Sequence, residues 1–415
     1  MPDYDLVIAG AGMVGVSSAL WAQKRGLKVA LCDPNPPGSG ASFGNACTIA
    51  TYACMPVNNP SVLRKLPKLL FGSDSPLSVN YAYALRNPRW MLSFLANCRA
   101  EKSREIATAL AGLLGHADAG LNPLIAEAAC EDLIVSNDMV YVWSTKDAAQ
   151  SEKAGLAFRR SVGIQIEDLT SAETLSLEPG IGFTPYAGAR FVGARHIHDP
   201  QEMIRRMVAR FVDLGGTYIS APVTNARALR DSVVVKTGGN DIVTRKFVVA
   251  AGAFSKSIEG SGAEHMPLGT ERGYHLMYSG EGHRISRPVG WAEAGFYAVP
   301  MAQGLRLAGT VEIAANDAPV NQGRLRYIEA RGRKMFRDLP RPDSHWLGHR
   351  PTFPDSLPAI GRSPTSENII FAFGHQHIGL TLGGITGRIV ADLAENRAPN
   401  IPISAFSPDR KINFF

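Results

Sequence analysis

Hydrophobic and polar positions divide the chain into elements of two kinds. Residues 3–10, DYDLVIAG, turn from charged to continuously apolar, the pattern of a strand buried on both faces of a parallel sheet. VSSALWAQKRG (16–26) then carries Val16, Ala19 and Leu20 at helical spacing up to a stop at Gly26, and LKVALCD (27–33) predicts a second strand ending at Asp33. Residues 60–135 hold apolar positions at helical spacing, whereas DMVYVWST (138–145) alternates as a strand does. A Thr170 to Glu173 capping box opens a short helix, and Asp199-Pro200 starts another that Gly215-Gly216 stops.

Beyond residue 216, short strands with turns at Arg230-Asp231 and Gly238-Gly239 predict a small meander. It leads into KFVVAAGAFS (246–255), an apolar strand ending in small residues, as suits close approach to a ligand at a sheet's carboxyl edge. Residues 271–280, 295–304 and 305–313 are aromatic-rich and alternating, typical of an antiparallel sheet. A helix over 322–339 follows, then a proline- and glycine-rich crossover, WLGHRPTFPDSLPAIG (346–361). Residues 367–396 read as strand, glycine-rich loop and helix. The expected fold class is mixed α/β: a Rossmann-like nucleotide-binding domain (1–60, 199–262, 360–415) interleaved with a substrate domain on an antiparallel sheet (61–198, 263–359).

Composition narrows this picture only slightly. With 415 residues, 45% of them hydrophobic and 19% charged, the chain is globular and long enough for two domains. Five cysteines without a Cys-x-x-Cys pair give no disulfide framework and no metal site, so a reducing, cytoplasmic location is expected. No apolar run approaches the roughly 18 residues that span a bilayer. Arg64, Lys65 and Lys68 stand beside Leu66, Leu69, Leu70 and Phe71 within residues 62–77. That pattern fits either a peripheral contact with the inner face of a membrane or a charged helix with a buried apolar face. The net charge of +6 is scattered, which argues against a nucleic-acid partner.

The most specific signal is Gly10-Ala-Gly12-Met-Val-Gly15, framed by strand, helix, strand and Asp33. Gly10 permits the tight turn, Gly12 lets backbone approach a pyrophosphate, and Gly15 lets helix and strand pack closely. The helix N-terminus offers N–H groups to the phosphates, and Asp33 can accept from ribose hydroxyls. The long loop DPNPPGSGASFGNACTIA (33–50) departs from a prompt return to a third strand. Its Ser42 and Asn45 could bond phosphate or ring edges, or cap turns.

Together with AGAGMVG (9–15), the segments GASFGNA (40–46), VVAAGAFS (248–255), GHRPTFPDSLPAIG (348–361), GHQHIGLTLGGITGRIVADL (374–393) and SPDR (407–410) make the sequence similar to the D-amino-acid oxidase superfamily. It resembles most its D-amino-acid dehydrogenase branch, nearly end to end. The resemblance implies FAD, held by Gly10, Ala11, Gly12, Met13, Val14, Asp33, Pro34, Ser42, Asn45, Ala46, Cys47, Val223, Ala251, Gly252, His375, Gly379, Leu380 and Thr381. An antiparallel sheet would roof the flavin, Val223 would meet the adenine through backbone, and residues 379–381 would lie by the pyrimidine end. Cys47 stands where relatives usually have Gly, and a small, buried, unreactive thiol is expected there.

Oxidising an amino acid at a flavin needs a Cα–H aimed at N5, a neutral amine and a dry pocket, so positioning dominates. Arg350 is the candidate cation for the substrate carboxylate, its fork steadied by Pro351; the alternative is an arginine paired with Asp355 or a backbone carbonyl. His377, Tyr274 and Tyr52 are further catalytic candidates, each with a packing alternative. The expected reaction is FAD-dependent oxidation of a D-amino acid or a cyclic secondary amino acid of the D-proline or D-hydroxyproline type, with electrons passed to a quinone or other acceptor. Alternatives are an oxygen-using oxidase of glycine or N-methyl amino acids and a flavin-fold component of an RNA-modifying enzyme.

Overall fold

A computed structural model describes residues 2–63 and 75–412. The strand Tyr4–Ala9 lies at the centre of a parallel layer, between Val29–Cys32 and Asn240–Val249. Thr217–Ile219 extends the layer on one side and Ser366–Phe373 on the other. Leu6, Val7 and Ile8 have no exposed surface, which is why this segment shows no alternation. Val223–Ala228 and Val233–Thr237 form the expected meander with the long strand Asn240–Val249.

One face of this layer is covered by the helices Met13–Lys24 and Gly379–Ala394, which approach almost backbone to backbone. A Cβ on Gly383 would stand 2.6 Å from Met13 Cγ, and one on Gly387 would stand 2.5 Å from the Ser17 carbonyl carbon. The helices Ala100–Leu114 and Ala117–Glu127 join the same core through Ile106, Leu110 and Leu121. Their apolar stripes were expected in the substrate domain, but they pack on the nucleotide side instead. Helical periodicity reveals a buried stripe without revealing what buries it.

The second layer runs Ser344–Thr352, Gly269–Ser279, Gly304–Ile313, Phe296–Met301, Val289–Trp291, Met139–Trp143, Ala187–Phe191, Ile166–Leu169. It is antiparallel except where Val289–Trp291 meets Met139–Trp143 and where Leu77–Val79 lies along Gly304–Ile313. The capping box at Thr170 and the Asp199 cap, which accepts the Glu202 amide at 3.0 Å, form as expected. The basic and apolar residues singled out at 64–71 lie outside the described residues.

The crossover containing Arg350 differs from its sequence reading. Residues 344–352 form an edge strand, not a loop, and Arg350 sits directly opposite Glu271. Pro351 is compatible with this position because an edge strand leaves one side of its ladder unpaired, and the residue before a proline favours extended backbone. The free side is partly used: Pro351 O accepts the Gln376 amide at 2.9 Å, and Thr352 bridges to His375.

Candidate active site

At the carboxyl ends of the parallel strands the glycines do what their spacing predicts. Gly10 has φ +109°, and a Cβ there would meet Ala250 O at 2.4 Å; one on Gly15 would lie 1.8 Å from Gly10 O. A Cβ on Gly12 would meet only Ser42 Oγ at 3.3 Å, so its other side is open. Asp33 accepts the Ala11 amide at 2.7 Å and the Asn35 amide at 2.8 Å, which fixes its carboxylate at the strand end, with Pro34 exposed just beyond. Ser42 Oγ accepts the Met13 amide at 3.0 Å and so occupies the first turn of the helix that continues through Val14. Ala251 and Gly252 end the neighbouring strand, Gly252 at φ +57° with open space where a Cβ would be, and Val223 follows the outer strand Thr217–Ile219.

Asn45 serves its own loop: its side chain accepts the Cys47 amide at 2.7 Å and donates to Ser42 O at 3.2 Å. Cys47 has φ +55°, the left-handed conformation that explains why glycine is usual at this position. Its thiol is buried beside Ala46, its pKa pushed up by that burial, and it accepts from Arg306 Nη1 at 3.0 Å. Thr381 Oγ1 accepts the Ala50 amide at 2.9 Å, tying the C-terminal helix, with Gly379 and Leu380, to the same loop. His375 is buried against Thr386 Oγ1 at 3.0 Å, and burial lowers its pKa to about 3, so it is a neutral structural group. Next to it the Gln376 side-chain amide is buried without a hydrogen-bond partner.

The face of the roof strand Gly269–Ser279 turned toward this loop carries Glu271, Gly273, His275 and Met277. His275 bonds Gly44 O at 3.0 Å and stacks on Trp346, whose ring fills the space a Cβ on Gly44 would need. Arg350 lies over Gly273, whose Cβ would stand 2.2 Å from Nη2. Its Nη1 donates to Thr310 O at 2.9 Å, so one of the alternatives expected for it holds for half of the fork. The other does not: Asp355 is held bidentately by Arg410, Nε to Oδ2 at 2.7 Å and Nη2 to Oδ1 at 3.2 Å. Arg350 makes no ion pair among the described residues, although Glu271 and Tyr297 act on its charge.

His377 faces the same space. Its ring is open to water, yet protein packs around it, so it lines an internal hollow. Burial, and then the Arg350 charge, lowers its pKa to about 4 and leaves the imidazole neutral. Tyr141 and Tyr297, also surrounded but partly accessible, share a hydrogen bond of 2.6 Å between their hydroxyls. Both tyrosines and Glu271 escaped the sequence reading; alternation marked their strands, but the partner strands that converge on the hollow are not adjacent in sequence.

Two candidates are placed elsewhere. Tyr274 points to the opposite face, into the core against the helix Gln322–Met335, and its hydroxyl donates to Glu312 at 2.5 Å. Tyr52 packs on Phe191 with ring centroids 4.5 Å apart, and its buried hydroxyl, with no partner at hydrogen-bond geometry, keeps its proton. Its ring meets that of Tyr141 edge-on, with centroids 6.3 Å apart.

This layout is matched over residues 5–393 by the model of the FAD dependent oxidoreductase family that includes D-amino-acid oxidase. The chain belongs to that family. A D-amino-acid oxidase of Bradyrhizobium diazoefficiens is 33% identical over 98% of both chains. D-amino acid dehydrogenase 2 of Ralstonia nicotianae is 27% identical over 97% of this chain and 99% of its own. Among solved structures, glycine oxidase of Geobacillus kaustophilus superposes with a TM-score of 0.75 at 22% identity, covering 99% of each chain. The family cofactor fits the residues present. A glycine cradle lies at the strand ends, an unmet amide donor sits at Gln376, and an enclosed polar hollow opens beneath the roof. Among the described residues no cluster of side chains could hold a metal, and no helix is long and apolar enough to cross a membrane.

Proposed function

We propose that this FAD-dependent oxidoreductase oxidises a D-amino acid or a cyclic secondary amino acid of the D-proline or D-hydroxyproline type and passes the electrons to a quinone or similar acceptor. The observation that carries the reading is Arg350: a half-buried guanidinium surrounded by protein, held at one nitrogen by Thr310 O and with no carboxylate at ion-pair distance among the described residues, beside the loop expected to hold the flavin. A guanidinium drawn away from bulk water without a close carboxylate is costly, and a substrate carboxylate is the partner its free edge fits. Bound FAD supplies the two-electron acceptor for the Cα hydride.

The protein's part is to place and prepare the substrate. Arg350 fixes the carboxylate and so limits which Cα bond can face the cofactor. His377, neutral at its lowered pKa, offers a lone pair to the amine or to its proton. The Tyr141–Tyr297 pair walls the hollow and offers hydroxyls to a polar substituent. Family and site residues thus support FAD-dependent oxidation of an amino acid. An oxidase differs only in the acceptor, and the 33% identical relative bears the name of an oxidase.

Anaerobic mixing with D-, L- and cyclic amino acids tests the reading: one class should bleach the flavin, and bleaching by none would refute it. Turnover with a quinone analogue should exceed turnover with oxygen. Rapid peroxide formation would assign the oxidase instead.

A further inference from the structure

Glu271 is a buried carboxylate for which the reading above gives no role. It is 1% exposed, and neither of its oxygens has a hydrogen-bond partner in the protein. Strand register sets it directly opposite Arg350, on the face turned toward the hollow, with the bare Gly273 making room for the guanidinium. On the other face of the same strand the carboxylate of Glu312 is met by Arg272, Tyr274 and Asn321. An unpartnered carboxylate is therefore not a general property of this sheet.

The conflict is one of charge. Arg350 can be neutralised by Glu271 or by a substrate carboxylate, but two anions beside one guanidinium leave a net negative charge in a hollow that stabilises ions poorly. We propose that Glu271 is the internal counter-ion of Arg350 and takes up one proton when a carboxylate ligand docks on that arginine. This rests on the reading of Arg350 as the carboxylate anchor. The step balances: ionised Glu271, Arg350 and a carboxylate ligand, with one proton from solvent, give neutral Glu271 and an Arg350–carboxylate pair.

The groups around the pair fit this assignment. Burial raises the Glu271 pKa to about 7 against the opposing charge of Arg350, which brings the exchange into the physiological range. From the other elements, Tyr297 keeps its proton, His377 is neutral, and Thr310 contributes a carbonyl. Trp90 of the helix Pro88–Asn97 underlies Gly269 without charge, and Glu312 with Arg272 lies on the far face.

The test titrates the FAD-loaded protein with benzoate, a carboxylate that cannot be oxidised, and follows the flavin spectrum. Calorimetry at pH 8.5 in two buffers of different ionisation enthalpy counts the protons. Wild type should take up about one proton per benzoate, and its Kd should rise about tenfold per pH unit above the Glu271 midpoint and be flat below it. Glu271→Gln should remove both the uptake and the slope. If that variant does not fold, Glu271→Asp must move the midpoint, and an unmoved midpoint overturns the proposal. Binding lost in Arg350→Ala but free of proton uptake in wild type also overturns it, as does uptake unchanged in Glu271→Gln. Benzoate binding that ignores Arg350→Ala defeats the anchor reading itself, a separate and recognisable result.

Discussion

The two faces of the roof strand Gly269–Ser279 are built from similar residues and arranged in opposite ways. On the face against the helix Gln322–Met335, Arg272 pairs with Glu312 at 3.2 Å and donates to Ala318 O and Pro319 O at 2.8 and 3.0 Å. On the face toward the nucleotide layer, Glu271 is as enclosed as Glu312 but neither of its oxygens is bonded, and the half-buried Arg350 spends one nitrogen on Thr310 O. The carboxylate of Glu312 is fully met where the sheet packs on its helix, whereas that of Glu271 on the opposite face has no hydrogen-bond partner. Tyr274 and Tyr297 repeat the contrast, the first turned into the core and the second into the hollow.

Substitutions on either face can break this contrast. The largest effect is expected from Arg272→Met, which strands Glu312 in the core and should lower the unfolding free energy by about 3–5 kcal/mol in urea titrations. Its folded fraction should keep the wild-type KM; a changed KM would blur the two faces. Arg350→Ala should act the other way, raising KM on the order of 10²-fold in steady-state assays with little change in the urea midpoint.

A pH series sharpens the comparison. His275 and His375 between the two layers, and His196 beside the loop strand Thr48–Ile49, are buried and neutral, with pKa values lowered to about 3, 3 and 4. The unfolded chain binds protons at these positions below about pH 6.5 and the folded chain does not. Stability is therefore fully present above that pH and falls as the pH drops toward 4, by roughly 1.4 kcal/mol per histidine per pH unit. Urea midpoints at pH 7, 6 and 5 should decrease in that order. The smallest effect is expected from Tyr297→Phe, which leaves the Tyr141 hydroxyl without its partner: a loss of about 1 kcal/mol, read as a lower urea midpoint.

Local chemistry was legible in the sequence, and pairing was not. Gly10, Gly12, Gly15 and Asp33 could be read because turn, cradle and acid lie within one strand–helix–strand unit. Arg350 stood out through its motif, yet Pro351 disguised its strand as a loop. Tyr52, Tyr141, Tyr274 and Tyr297 look alike as aromatic residues near apolar runs. Only the register, which pairs the strand of Tyr141 with one about 150 residues away, decides which of them meets the hollow. Glu271 was invisible for the same reason, since its interest lies wholly in standing opposite Arg350.

The place of Arg350 on an edge strand also bears on how such an enzyme could change. Ser344–Thr352 pairs with one neighbour along its length and is fastened at its end by Pro351 O and Thr352. Because side chains alternate, deleting one residue upstream would bring His349 to the cavity and turn the guanidinium outward, while the interior strands keep their register. If Arg350 anchors the substrate as proposed, substrate choice is written on the most editable margin of the sheet, and the turn at His375 and Gln376 that clips that margin is what keeps it in place.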